Sequence, residues 1–178
     1  MIGWRKFRYF FLLLAISVGV VSCAAESEIT SEYFLERLQG LVREDFGDLP
    51  DTTRTPDGQY TLQLTAHVSI SWKAEPSSGV LQQASLALDK NGATTQDSDI
   101  YTYYIMTFIQ AAEQELTVAS YNRLYDALQL SESENEIRTQ IGVGARHYAY
   151  TVTSEARCLT VTFQETPETE SEESLSET

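Results

Sequence analysis

The chain is poor in the residues on which metal and nucleophile chemistry depends. Its two cysteines, Cys23 and Cys158, lie far apart and form no Cys-x-x-Cys pair. Its two histidines, His67 and His147, are equally isolated, so zinc sites of the usual ligand spacing are excluded. There is no Gly-x-Ser-x-Gly elbow for a hydrolase serine. Gly142-Val143-Gly144 is too short to cradle a dinucleotide or a nucleoside triphosphate. Asp89-Lys90-Asn91-Gly92 opens like a calcium loop, and Asp97 and Asp99 follow. The glycine stands too early for an EF-hand, however, and the bidentate glutamate is missing. A tight turn before a capped helix accounts for these residues. No metal and no cofactor is expected.

Positive charge is scarce as well. There are 12 Lys+Arg against 26 Asp+Glu. Arg5, Lys6 and Arg8 precede Cys23, where no acid occurs, so the rest of the chain carries nine bases against all 26 acids. Binding to nucleic acid needs a basic patch that displaces counterions from phosphates, and none is present. An anionic membrane surface would repel this domain unless something covalent held it there.

Long apolar runs are limited to one, at the start. Arg5, Lys6 and Arg8 are followed by an uncharged stretch from Tyr9 to Val21, then Ser22 and Cys23. A basic start, an apolar centre and a small closing residue have the layout of a secretory signal. Counted generously to Ala25 the run has 17 residues, at the short limit for a spanning helix. Val20-Val21-Ser22-Cys23 resembles the lipobox of bacterial lipoproteins, with Val20 where Leu is commonest and Val21 bulkier than usual. The resemblance implies that residues 1–22 are a signal peptide cleaved before Cys23, and that the Cys23 thiol carries lipid. It places the protein outside the cytoplasm, on the outer face of the cytoplasmic membrane, or on the outer membrane in a diderm source. A retained signal anchor and a soluble secreted product are the alternatives. Two acyl chains hold a protein stably where one does not. Residues 23–28 would form a short tether, keeping the domain close to the bilayer.

Residues 29–164 read as a single α+β domain. Phe34, Leu35, Leu38, Leu41 and Val42 recur at helical spacing over Ile29 to Phe46, with Thr30 or Ser31 as cap and Gly47 and Pro50 as stops. Asp51 to Gly58 reads as a loop. From Tyr60 to Trp72 every second residue is apolar, the pattern of one long strand with one wet face, which favours an antiparallel sheet. Val80 to Asp89 reads as a second strand. Asp97 to Leu116 is expected as a helix capped at Ser98, and Ser120 is expected to cap a third, shorter one. Ile137 to Val143 and Tyr148 to Val152 alternate with opposite parity, so a bulge or turn at Gly142-Val143-Gly144 must supply one step. Leu159, Val161 and Phe163 complete a last strand. The expected fold is a curved antiparallel sheet of about five strands with helices on one face, in the order α-β-β-α-α-β-β-β. Residues 165–178 hold six Glu and no base and are expected to be disordered.

Tyrosine is the enriched type, at ten. Tyr101, Tyr103, Tyr104, Tyr148 and Tyr150 cluster on two elements. Half-buried core is one explanation, and a partner or ligand surface the other. Cys158 stands out of phase with Leu159, Val161 and Phe163. The residues point to a lipid-anchored envelope protein with a small, non-enzymatic binding domain beside the membrane, for a protein partner or small ligand. An exported hydrolase with a site of unfamiliar pattern is the alternative.

Overall fold

The computed structural model describes residues 28–163. The signal segment, Cys23, the tether before Glu28 and the acidic tail lie outside them.

Helix α1 (Ser31–Phe46) starts where Thr30, in extended backbone, accepts the N–H of Tyr33 on its side chain, and it ends at Gly47 with φ 77°. Three strands follow in quick succession: β1 (Thr52–Arg54), β2 (Gln59–Gln63) and β3 (Val68–Ala74). Strand β4 (Leu81–Asp89) leads to α2 (Thr95–Ala112) and α3 (Val118–Leu128). The chain then makes a meander of β5 (Ile137–Val143), β6 (Arg146–Val152) and β7 (Ala156–Phe163). All pairings are antiparallel, in the order β1-β2-β3-β4-β7-β6-β5. The two helices carry the chain from β4 to the far edge, and the meander works back until β7 closes on β4.

The α+β class matches the sequence reading, but the sheet has seven strands and the order is α-β-β-β-β-α-α-β-β-β. Two features account for the difference. The alternating run from Tyr60 to Trp72 is a hairpin, not one strand: Leu62 pairs with Ile70 and Tyr60 with Trp72. Alternation survives because Gln63 pairs with Ser69 across five residues, and an odd number between partners keeps both arms in phase. Thr65 makes this turn. Its hydroxyl oxygen accepts the N–H groups of His67 and Val68 and donates to Asp97 at 2.6 Å. The second feature is β1, inside the stretch read as a loop, which exists because it pairs with β2.

The caps of α2 and α3 also sit earlier than the sequence suggested. Thr94 and Asp97 form a reciprocal capping box, so Asp97 occupies the first turn. Thr117 caps α3 by accepting the N–H of Ser120. The parity change between β5 and β6 comes from a two-residue turn at Gly144-Ala145, with Gly144 at φ 58°. Positive φ at the first central position suits a hairpin turn matched to strand twist.

The three helices of the described residues lie on one face of the sheet. Phe34, Leu38 and Val42 of α1, Tyr101, Ile105, Phe108 and Ile109 of α2, and Leu124 and Leu128 of α3 pack there against Leu62, Ile70, Trp72, Leu86, Tyr148, Tyr150, Leu159 and Val161. On the other face small or polar side chains run in register: Thr61, Ser71, Ser85, Thr160, Ala149 and Gln140. No described helix is long and apolar enough to cross a membrane.

Candidate binding groove

Among the described residues, three helices do not cover the inner face of seven strands. Helix α1 lies over β3, and the inner face of β1 and β2 beyond it stays partly open. The result is a recess of about 490 Å³ between the start of α1 and strands β1–β3, lined by Leu35, Thr52, Arg54, Tyr60 and Trp72 among others. A second recess, about 530 Å³, lies farther along α1 and is lined by Glu36, Gln39, Leu49, Pro50 and Asp51. Both share Glu32, Leu35 and Thr52, so they form one groove along the flank of α1.

The floor is aromatic because neighbouring strands place rings side by side. Tyr60 and Trp72 are cross-strand partners, and their rings stack at 5.5 Å with 6° between planes. Arg54 pairs with Tyr60 from β1 and sets its guanidinium 5.2 Å over the same ring. Cation, phenol and indole thus form a three-layer stack across three strands. The Trp72 Nε1–H donates to the Ser31 hydroxyl at 2.7 Å, tying the floor to α1. Phe34 meets Trp72 edge-on at 5.7 Å from the core side.

The rim is acidic. Glu32, Glu36, Asp51 and Glu75 line the groove, against Arg54 as the one base in its lining. The Ser78 and Ser77 hydroxyls donate to Glu75 and hold its carboxyl below the usual carboxylate range.

One side of the groove is the sheet edge. Thr55 donates its N–H to the Gln59 carbonyl, so by alternation Thr53 faces Thr61 in the next hydrogen-bonded pair. Thr52 and Arg54 therefore direct their backbone N–H and C=O groups away from β2. The groove offers an apolar floor, carboxylates and free backbone groups together.

The residues singled out from the sequence lie elsewhere. Cys23 is outside the described residues. Tyr101, Tyr148 and Tyr150 are fully buried and Tyr104 nearly so, while Tyr103 keeps partial exposure and packs edge-on against Tyr104 at 5.5 Å. Four of the five are core. Burial pushes the Tyr101 hydroxyl well above its ordinary pKa, and that hydroxyl finds no hydrogen-bond partner among the described residues.

His67 sits in the β2–β3 turn, with its ring against Gly92. His147 and Cys158 are both on the polar face. His147 is opposite Thr162, and Cys158 is four residues back along β7, about 13 Å at strand rise. The structure does not bring the three together. Among the described residues no three His, Cys, Asp or Glu side chains group as metal ligands. Asp97, which follows the tight turn at Asp89–Gly92, is engaged by Thr65 and Thr94 in the cap of α2.

No family model matches the chain, and no curated protein and no solved structure matches it.

The groove was not legible in the sequence. Its residues come from α1, β1, β2, β3 and two loops, and they meet only once the hairpin at Thr65 is known. The useful signal is register: with Gln63 opposite Ser69, five residues on, Tyr60 and Trp72 fall opposite each other.

Proposed function

We propose that the chain is an exported lipoprotein, acylated at Cys23, whose domain binds an extended peptide segment rich in basic and apolar residues. The segment would belong to a neighbouring envelope protein. The α1–β1 groove carries this reading. An extended peptide beside β1 pairs with the outward groups of Thr52 and Arg54, as in strand addition to a sheet edge. Alternate side chains reach the Leu35–Tyr60–Trp72 floor, and basic side chains meet the carboxylate rim. Position supports the same reading. Thr30 lines the groove and lies seven residues after Cys23, at most about 25 Å of extended chain. A lipid on Cys23 would hold the groove within that reach of the membrane.

Two measurements test the proposal separately. Mass spectrometry of the N-terminal peptide should show Cys23 as the first residue, carrying diacylglycerol; an unmodified Cys23 peptide from the membrane fraction refutes acylation. For the groove, the purified full-length protein is used to select from a displayed library of random ten-residue peptides. Enriched sequences should alternate Lys or Arg with apolar residues, and their binding should fall at least about tenfold in Glu32→Lys/Glu36→Lys, or about 1.4 kcal/mol. Enrichment of acidic sequences, or binding indifferent to that double substitution, refutes the groove.

A further inference from the structure

The two edges of the sheet are built differently, and the difference points to a second copy of the chain. The β1 edge has three residues and lies between Pro50 and Pro56, two of the chain's four prolines. A strand this short, closed by proline on both sides, has room for a short peptide segment but not for pairing with a second sheet. The β5 edge has seven residues, Ile137–Val143, with no proline, no lysine and one charged side chain, Arg138. Nothing blunts it. Among the described residues β5 ends the sheet.

Hydrogen-bond alternation decides which groups are free there. The two-residue turn makes Val143 and Arg146 a hydrogen-bonded pair, followed by Ile141 with Tyr148, Thr139 with Tyr150 and Ile137 with Val152. Arg138, Gln140 and Gly142 lie between these pairs. Their backbone N–H and C=O groups point away from β6, and their side chains lie on the polar face.

We infer that β5 pairs antiparallel with β5 of a second copy about a twofold axis at Gln140, joining two seven-stranded sheets into one. In this register the free residues meet as hydrogen-bonded pairs: Gln140 faces Gln140 of the second copy, and Arg138 faces its Gly142. No like charges stand directly opposite, and the guanidinium lies beside the His147 ring that covers Gly142. On the inner face Val143, 36% exposed in the single chain, meets Ile137 of the second copy. Thr139 meets Ile141 there. Ile137, Thr139 and Ile141 are half-buried in the single chain, so pairing extends the core layer across the axis.

The test uses the full-length protein in detergent, with its mass measured by light scattering. Two chains per particle are expected. Gln140→Pro should give one chain per particle with unchanged circular dichroism, because the lost N–H serves no bond within the chain. Disulfide trapping reads the register without relying on that variant. In a Cys158→Ser background, Gln140→Cys should cross-link to itself on oxidation, since facing Cα atoms sit about 5.5 Å apart. Arg138→Cys should not, since its two copies lie four residues apart, about 13 Å. A single chain at every concentration overturns the inference. So does a dimer that survives Gln140→Pro, or one that cross-links through Arg138→Cys and not Gln140→Cys.

Discussion

Arg157 donates from its Nε to the Tyr150 hydroxyl at 3.0 Å, and that hydroxyl donates in turn to the carbonyl of Glu132 at 2.7 Å. The guanidinium also lies 4.7 Å over the Tyr101 ring, and Arg157 is only 5% exposed. A buried cation is thus held by a hydroxyl and an aromatic face. Through it, β7, β6, α2 and the loop before β5 share one fastening.

That chain of donors makes Tyr150→Phe more damaging than a lost hydroxyl on the surface. The ring still fills its place in the core, but Arg157 Nε loses its acceptor and the Glu132 carbonyl loses its donor. Leaving a buried polar group unsatisfied costs about 1–3 kcal/mol. Urea unfolding should show a lower midpoint with an unchanged slope.

A second buried contact fastens the end of α2. Arg146 Nη1 lies 3.3 Å from Glu113 Oε2, both side chains are almost fully buried, and Tyr148 donates to the other carboxylate oxygen. Removing one member of a buried pair strands its partner, and typically costs about 3–5 kcal/mol. Arg146→Met should therefore destabilise by about that much. Adding Glu113→Gln should recover part of the loss, because no buried charge is then uncompensated. Denaturant unfolding of both single variants and the double variant closes the cycle.

These fastenings also explain which parts of the fold were legible in the sequence. The stripe of α1 and the inward residues Ala84, Leu86 and Leu88 of β4 could be read because local periodicity alone decides their faces. The break at residues 64–67 could not. It contains neither glycine nor proline, and its turn is held by Asp97, 32 residues away in sequence. Strand β1 has too few residues to show a period. Tyrosine counts could not separate core from surface, because the answer depends on which face the helices cover. The groove depends on the same topology, so its residues carried no mark of their own.

Phe34 provides a check on the joint between the groove floor and the core. It is fully buried and meets Trp72 edge-on at 5.7 Å and Phe108 at 6.0 Å. Phe34→Ala should cost about 3–5 kcal/mol through lost burial and the cavity left behind. Trp4 belongs to the expected signal segment, so Trp72 would be the one indole of the processed protein. Its emission should shift to longer wavelength in this variant as water reaches the ring.

Acid should loosen the fold at two identifiable points. The Thr65 hydroxyl, then the backbone and side chain of Thr94, hold the Asp97 carboxyl down at about 2. The Asn135 backbone and side chain, with the N–H groups of Glu134 and Ser133, hold Glu132 at about 2 as well. Both values lie below the unfolded carboxylate range of about 4. The unfolded chain therefore takes up protons first as pH falls. The stabilisation from these carboxylates is fully present above about pH 5 and is lost progressively between there and about pH 2. Urea midpoints measured at several pH values should fall across that window. Asp97→Asn should lower the midpoint at pH 7 and flatten the acid decline. Thr65→Val should also flatten that decline, since it removes the strongest contact holding the Asp97 carboxyl down and brings its folded titration closer to that of the unfolded chain. An acid profile identical in wild type and Asp97→Asn would remove this residue from the account and leave Glu132 alone to explain the decline.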